Sequence, residues 1–149
     1  TDPKTNSSDM TYFSNIDKPL NIKKLDVSNH PVVKGILKKL NIDDKTVDNV
    51  KIVYYPEGSE NPLHSDSYAI KDGKAVKFRD WKLTAVLFLN DNFDCGELVY
   101  PNQGLIVKPK TGSMIIAPTD FNYAHYVAPT MNGERFSLVF RFYENIYTS

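Results

Sequence analysis

From Val50 onward the chain alternates short apolar runs with turn-forming clusters. The runs are VKIVYY, AVKF, KLTAVLFLN, ELVY, GLIVK, SMIIA, YAHYV and RFSLVFRFY, and between them lie PEGSENP, KDG, DNFDCG, PNQG, PKTG, PTD and MNGE. β-Branched and aromatic residues favour strands, while Gly, Pro, Asn and Asp supply turn geometry. Eight such runs predict an antiparallel sandwich or barrel. Upstream the period changes. In NHPVVKGILKKLN (Asn29 to Asn41), Val32, Val33, Ile36, Leu37 and Leu40 recur at helical spacing, and Pro31 stands where a helix opens after Ser28 or Asn29. One amphipathic helix with outward lysines is expected, with His30 as a surface residue beside its cap. One helix ahead of many strands makes the chain α+β and mainly β. Thr1 to Asp9 has no apolar period and is expected to be a flexible segment, leaving residues 10–149 as a single domain.

Composition narrows the function without naming it. Lys plus Arg equals Asp plus Glu at 18 each, so no global charge draws the chain to nucleic acid or an anionic membrane. The single cysteine, Cys95, excludes an intrachain disulfide and cysteine-based zinc sites, and fits a reducing, cytoplasmic compartment. No apolar run approaches the roughly 20 residues that cross a bilayer, so a soluble protein is expected. Nothing in the pattern sets an oligomeric state.

The candidate chemistry begins at NPLHSDSY. On an extended strand, residues i and i+2 share a face, so His64 and Asp66 present an imidazole and a carboxylate side by side. Such a pair is either a solvated accident or part of a facial metal site. His125, in YAHYVAP, supplies a distant second imidazole, which completes a 2-His-1-carboxylate set able to hold Fe(II) with positions left open. Ten residues further on, GERFSLVFRF alternates: Arg135, Ser137, Val139 and Arg141 fall on one face, and Phe136, Leu138, Phe140 and Phe142 on the other. An arginine and a serine at i and i+2 make a clamp for a carboxylate, because the guanidinium fork is planar and the hydroxyl adds a donor.

Taken jointly, these pieces resemble the Fe(II)- and 2-oxoglutarate-dependent dioxygenases, and among them the compact prolyl-4-hydroxylase-like catalytic domains. YPEGSENPLHSD carries Tyr55, Gly58, His64 and Asp66 at the YxxGxxxxxHxD spacing. LTAVLFLNDNFDCGELVYP, VKPKTGSMIIAP and AHYVAPTMNGERFS follow in family order, so the resemblance runs from Val50 to Tyr143. It implies a double-stranded β-helix of the jelly-roll, cupin-like kind with the N-terminal helix packed on it. It further implies that His64, Asp66 and His125 bind iron, that Arg135 anchors 2-oxoglutarate, and that Tyr55 and Ser137 assist. The cosubstrates would be 2-oxoglutarate and O2, with ascorbate as a reductant. The reaction would couple decarboxylation of 2-oxoglutarate to succinate with hydroxylation of a C–H bond in a peptide, protein or small molecule.

Two departures stand out. Arginine occupies a position where prolyl hydroxylases usually carry lysine, and Cys95 replaces the first glycine of a GGE turn, where it is expected to pack. The segment from Ser67 to Lys82 places Lys71, Lys74, Lys77, Arg79 and Lys82 against Asp72 and Asp80. It reads either as a lid that favours an anionic target or as a solvated hairpin around Asp72-Gly73. Tyr68, Trp81 and Tyr123 line a substrate groove or belong to the core. Two further readings remain. Arg135 and Arg141, six apart, resemble the RxxxxxR segment of AlkB-type nucleic-acid demethylases, although no nucleotide-recognition lid accompanies them. A non-catalytic β-barrel binding module is the other.

Overall fold

The computed structural model describes residues 21–146. The flexible segment expected at residues 1–9 lies outside them. Strand β1 (Lys23–Asp26) leads into helix α1 (Pro31–Lys39), and twelve strands follow. These are β2 (Val47–Tyr55), β3 (Asn61–His64), β4 (Tyr68–Lys71), β5 (Lys74–Lys77), β6 (Leu83–Phe88), β7 (Asp94–Cys95), β8 (Leu98–Tyr100), β9 (Leu105–Val107), β10 (Met114–Pro118), β11 (His125–Val127), β12 (Thr130–Met131) and β13 (Arg135–Phe142). A five-stranded sheet, ordered β1-β2-β13-β6-β10, faces a four-stranded one, ordered β3-β11-β8-β9. Every pairing is antiparallel. This is the jelly-roll, double-stranded β-helix architecture.

Helix α1 begins where Pro31 sets φ for the first turn, and His30 caps it: its Nδ1 accepts the Val32 N–H at 3.1 Å. At the other end Asn41 turns left-handed (φ 58°). The Asn41 and Ile42 N–H groups then return to the Lys38 and Leu37 carbonyls at 3.1 and 2.9 Å, which closes the helix. Its buried stripe is narrower than the spacing predicts. Val33 and Leu37 are buried, whereas Val32 and Leu40 are exposed, because a sheet surface contacts a single ridge of the helix.

That ridge packs on Val50, Leu83, Ala85, Leu138, Phe140 and Phe142, the outer face of the large sheet. Burying each large side chain there contributes about 1.5–3 kcal/mol. Between the two sheets lies a second cluster of Val53, Tyr55, Phe88, Leu98, Tyr100, Ala117 and Val127. Strand β13 thus has two buried faces: Leu138, Phe140 and Phe142 look toward the helix, and Arg135 and Ser137 look between the sheets. No helix among the described residues is long and apolar enough to cross a membrane.

Three local readings change. Asp66 lies beyond the end of β3, in a bend, so the same-face argument from a continuous strand does not apply to it. Cys95 is exposed and left-handed (φ 60°) where packing was expected. Strand β1 was not anticipated: KKLD has one apolar residue and draws its stability from pairing with β2.

Candidate metal centre and carboxylate pocket

Strands β3 and β11 pair directly, with His64 opposite His125. The two rings meet edge to face at 4.5 Å. Each Nδ1 donates to a carbonyl two residues earlier, His64 to Pro62 at 2.7 Å and His125 to Tyr123 at 2.9 Å. These bonds fix the tautomer and leave both Nε2 lone pairs free. Both Nε2 atoms face Asp66 Oδ1, at 3.4 and 3.5 Å. The three donor atoms lie within 4.8 Å of one another. Two imidazole nitrogens and one carboxylate oxygen on one side of a point suit a divalent transition metal with positions left open.

The bend that carries Asp66 is held by the serines on either side of it. Ser65 Oγ donates to the Thr119 carbonyl at 2.8 Å, the Ser67 N–H to the same carbonyl at 3.2 Å, and Ser67 Oγ to the Trp81 carbonyl at 3.3 Å. Thr119 Oγ1 closes the set on Trp81 at 2.6 Å. Asp66 Oδ2 takes a bond from Arg141 Nη1 at 2.7 Å, and the same nitrogen reaches Thr84 Oγ1 at 2.7 Å. Burial alone would raise the Asp66 pKa, but Arg141 and the two histidines hold it well below the usual carboxylate range. Burial lowers the His125 pKa against the pull of Asp66, which favours the neutral, ligating form. Burial and the Asp66 charge push the Tyr100 phenol up, so it remains protonated beside His125, 5.0 Å away ring to ring.

The cavity in front of these ligands is also lined by Tyr55, Asn61, Arg135, Ser137 and an apolar set that includes Val53, Val86, Leu98 and Val127. Arg135 is 2% exposed. Its guanidinium lies 4.7 Å from the Tyr55 ring centre and 5.4 Å from that of Phe88, and Nη1 donates to the Gly96 carbonyl at 3.3 Å. Burial lowers its pKa, and no carboxylate among the described residues pairs with it. Among the described residues, Arg135 Nε and Ser137 Oγ in the cavity lining are buried polar atoms without a hydrogen-bond partner, as is Thr130 Oγ1 outside that lining. Native structures seldom leave such groups unpaired, so an acidic ligand is the fitting occupant. Tyr55 is buried next to this spot, and Asn61 Nδ2 lies 3.5 Å from its hydroxyl.

All six residues expected at the site therefore line one cavity. Arg141, on the same strand face as Arg135, is occupied by Asp66 and Thr84. The sequence pattern gives no role to Ser65, Ser67, Thr119, Thr84 or Asn61; SDS around a candidate ligand is the available signal. None of the basic side chains of the β4–β5 hairpin lines the cavity. That hairpin turns at Asp72 and Gly73, both with positive φ, and the four residues of β5 are exposed. Trp81 stacks on Arg141 at 4.7 Å, and Tyr123 packs against the inner cluster.

The fold is similar to that of a viral collagen prolyl hydroxylase from Paramecium Bursaria Chlorella virus-1 in complex with 2OG (21% identity, 92% of this chain, 89% of that chain, TM-score 0.65). It is also similar to a Pseudomonas putida prolyl-4-hydroxylase (20% identity, 83% and 71% covered, TM-score 0.59). A third similar structure is a Trichoplax adhaerens prolyl hydroxylase in complex with a hypoxia inducible factor oxygen degradation domain peptide fragment (16% identity, 92% and 79% covered, TM-score 0.61). No curated protein matched the chain. Residues 50–143 match the family model described as the 2OG-Fe(II) oxygenase superfamily. With that match over more than half its length, and a His-Asp-His set facing a cavity that ends in an uncompensated arginine, the chain belongs to the 2OG-Fe(II) oxygenase superfamily, enzymes that use Fe(II), 2-oxoglutarate and O2.

Proposed function

We propose that the protein is a prolyl-4-hydroxylase-like oxygenase that hydroxylates a C–H bond in a peptide or protein. The single observation that carries the site assignment is Arg135: a buried cation with unpaired donors beside it and no acidic partner among the described residues, at the end of a cavity that opens on three metal-ligating atoms. His64 Nε2, Asp66 Oδ1 and His125 Nε2 would hold the metal. Arg135 would pair with the distal carboxylate of 2-oxoglutarate, with Ser137 Oγ and the Tyr55 hydroxyl as further contacts. When bound, Fe(II) with 2-oxoglutarate supplies the redox chemistry, in which one atom of O2 goes to the substrate C–H and the other to succinate as carbon dioxide leaves.

The chain's own contribution is geometric and electrostatic. Pro62 and Tyr123 hold the Nδ1 protons away from the metal side. Arg141 keeps Asp66 ionised and fixes which of its oxygens faces the histidines. The apolar lining limits water around the reacting atoms. The peptide reading draws support from the prolyl hydroxylase neighbours, one of them described with a bound peptide. It is tested by incubating the protein with Fe(II), 2-oxoglutarate and a proline-containing peptide library, with methylated oligonucleotides alongside. Succinate formation accompanied by a peptide mass gain of one oxygen is expected. Oligonucleotide demethylation without peptide modification would replace this reading with the demethylase one.

A further inference from the structure

The edge strand β1 brings to the cavity a cation that the six site residues do not include. Lys24 sits opposite Val53 on β2, and Val53 sits opposite Ser137 on β13. Paired residues share a face, so Lys24 lies in the same inward row as Ser137, and it lines the cavity together with Arg141 and Asp66. Lys51 stands two residues before Val53 on that face, and Arg141 two beyond Val139, which Lys51 opposes. Three neighbouring strands thus each direct a cation toward one region.

The groups of opposite sign there are already engaged. Asp66 is paired with Arg141. Asp26, opposite Lys51, accepts from Ser28 N and Oγ at 2.9 and 2.7 Å. Among the described residues Lys24 has no ion-pair partner; the residue as a whole is exposed, while its ammonium is crowded by the cavity walls it lines. Its pKa is lowered, by burial first and then by Arg141 and Lys51, with Asp66 the only opposing influence. Within the cavity lining, Lys24, Arg135 and Arg141 outnumber Asp66 by two charges. A divalent cation and a dicarboxylate cancel one another, so loading the site leaves that surplus in place.

We propose that Lys24, reinforced by Lys51 and Arg141, receives a carboxylate of the peptide substrate, so that the enzyme selects acidic residues next to the one it hydroxylates. The proposal rests on the peptide reading above. An ammonium on β1 suits this role, because it lines the cavity together with Asp66 and Arg141 and has no ion-pair partner among the described residues.

The test uses the iron-loaded protein and peptides of one length that differ only in carrying Glu, Gln or Lys beside a fixed proline. Both hydroxylation and direct binding by fluorescence anisotropy are read at low and high salt. The Glu peptide should outbind the Gln peptide by about fivefold at low salt, as an exposed charge pair allows. K24Q should lose that preference, and K24E should invert it toward the Lys peptide. Equal binding of the three peptides by the wild type, or a Glu preference that survives in K24E, would overturn the proposal. A tenfold loss of 2-oxoglutarate affinity in K24Q with the peptide preference intact would assign Lys24 to the cosubstrate and overturn it as well. If succinate forms and no peptide is bound or modified, the peptide reading itself has failed, a result distinct from a peptide hydroxylase without acidic preference.

Discussion

Arg141 and the two histidines divide Asp66 between them: the guanidinium takes Oδ2 at 2.7 Å, while His64 and His125 face Oδ1 at 3.4 and 3.5 Å. One carboxylate thereby has an oxygen held by Arg141 and an oxygen turned to the two imidazoles, the one that would ligate a metal. Replacing Arg141 with Met removes the partner of a buried charge, which costs about 3–5 kcal/mol. The apoprotein should melt well below wild type, and a saturating divalent metal such as Mn(II) should recover much of the loss by restoring compensation. Thermal denaturation with and without metal checks this, and equal losses in both states would deny Asp66 its dual role.

The three ligands should not respond alike to removal. H64A and H125A are expected to lose metal binding and keep near-native stability, since each ring lies at the cavity wall and its main polar bond is local. D66A should lose the metal and also destabilise the fold, because Arg141 is then left half-buried and unpaired. Isothermal titration with Mn(II) and a melting curve for each variant separate the two effects.

Arg135→Ala should raise the 2-oxoglutarate dissociation constant a hundredfold or more, as expected when about 3 kcal/mol or more is lost from a desolvated ion pair. Arg135→Lys should be milder, because the charge is kept while the fork is lost. Metal affinity in the absence of 2-oxoglutarate should change little. Unaltered 2-oxoglutarate binding in R135A would remove Arg135 from the pocket's function.

Gly96 offers a more indirect test of the same pocket. Its φ is +71°, and an added Cβ would lie 3.0 Å from Phe93 Cε1 and 3.1 Å from Thr130 Oγ1. Gly96→Ala should therefore destabilise the protein by about 1 kcal/mol or more. Its carbonyl accepts from Arg135, so 2-oxoglutarate affinity should fall while metal affinity holds.

Outside the cavity, Asp48 accepts from Tyr143 at 2.6 Å, Trp81 at 2.6 Å and Asn49 at 3.1 Å. The Tyr143 bond leads in lowering its pKa, against a burial effect in the other direction. A carboxylate with a depressed folded-state pKa stabilises above its unfolded value, near 4, and the contribution disappears as pH falls through the folded one. D48N should flatten the acid limb of the stability profile in that window, as measured by urea midpoints from neutral pH to about pH 2.

The strand grammar was legible because apolar runs and turn clusters recur at short intervals, whereas His64, Asp66 and His125 stood out only through their joint spacing along the chain. Val50 to Tyr55 and Arg135 to Phe142 read as strands and form them, yet burial does not alternate along either, because each has both faces covered: Ser137 and Leu138 are both buried, and Phe136 is exposed. β1 was illegible because Lys23, Lys24 and Asp26 carry no apolar signal, and among the described residues their strand pairs with β2 alone. Strand alternation alone could not separate Arg135 from Arg141, since both stand on one face of one strand; only the resemblance favoured Arg135 as the anchor. What distinguishes them is Asp66, which approaches Arg141 from a bend 75 residues earlier. Similarly, Ser65 and Ser67 are ordinary polar residues until Thr119 and Trp81 are brought beside them.

The central position of β13 has a consequence for how the molecule comes into being. β2 and β6, about 30 residues apart, are joined only through a strand supplied some 50 residues later, so the large sheet has no continuous middle until that strand arrives. The same insertion delivers both Arg135 and Arg141. A chain emerging during synthesis can bring His64 and Asp66 close together early, yet without β13 their charge is uncompensated and the carboxylate pocket has no cation. Closing so distant a contact is slow relative to local structure. On the proposed reading the carboxylate pocket is therefore complete only in a finished domain, and the coupled reaction waits for the last strand.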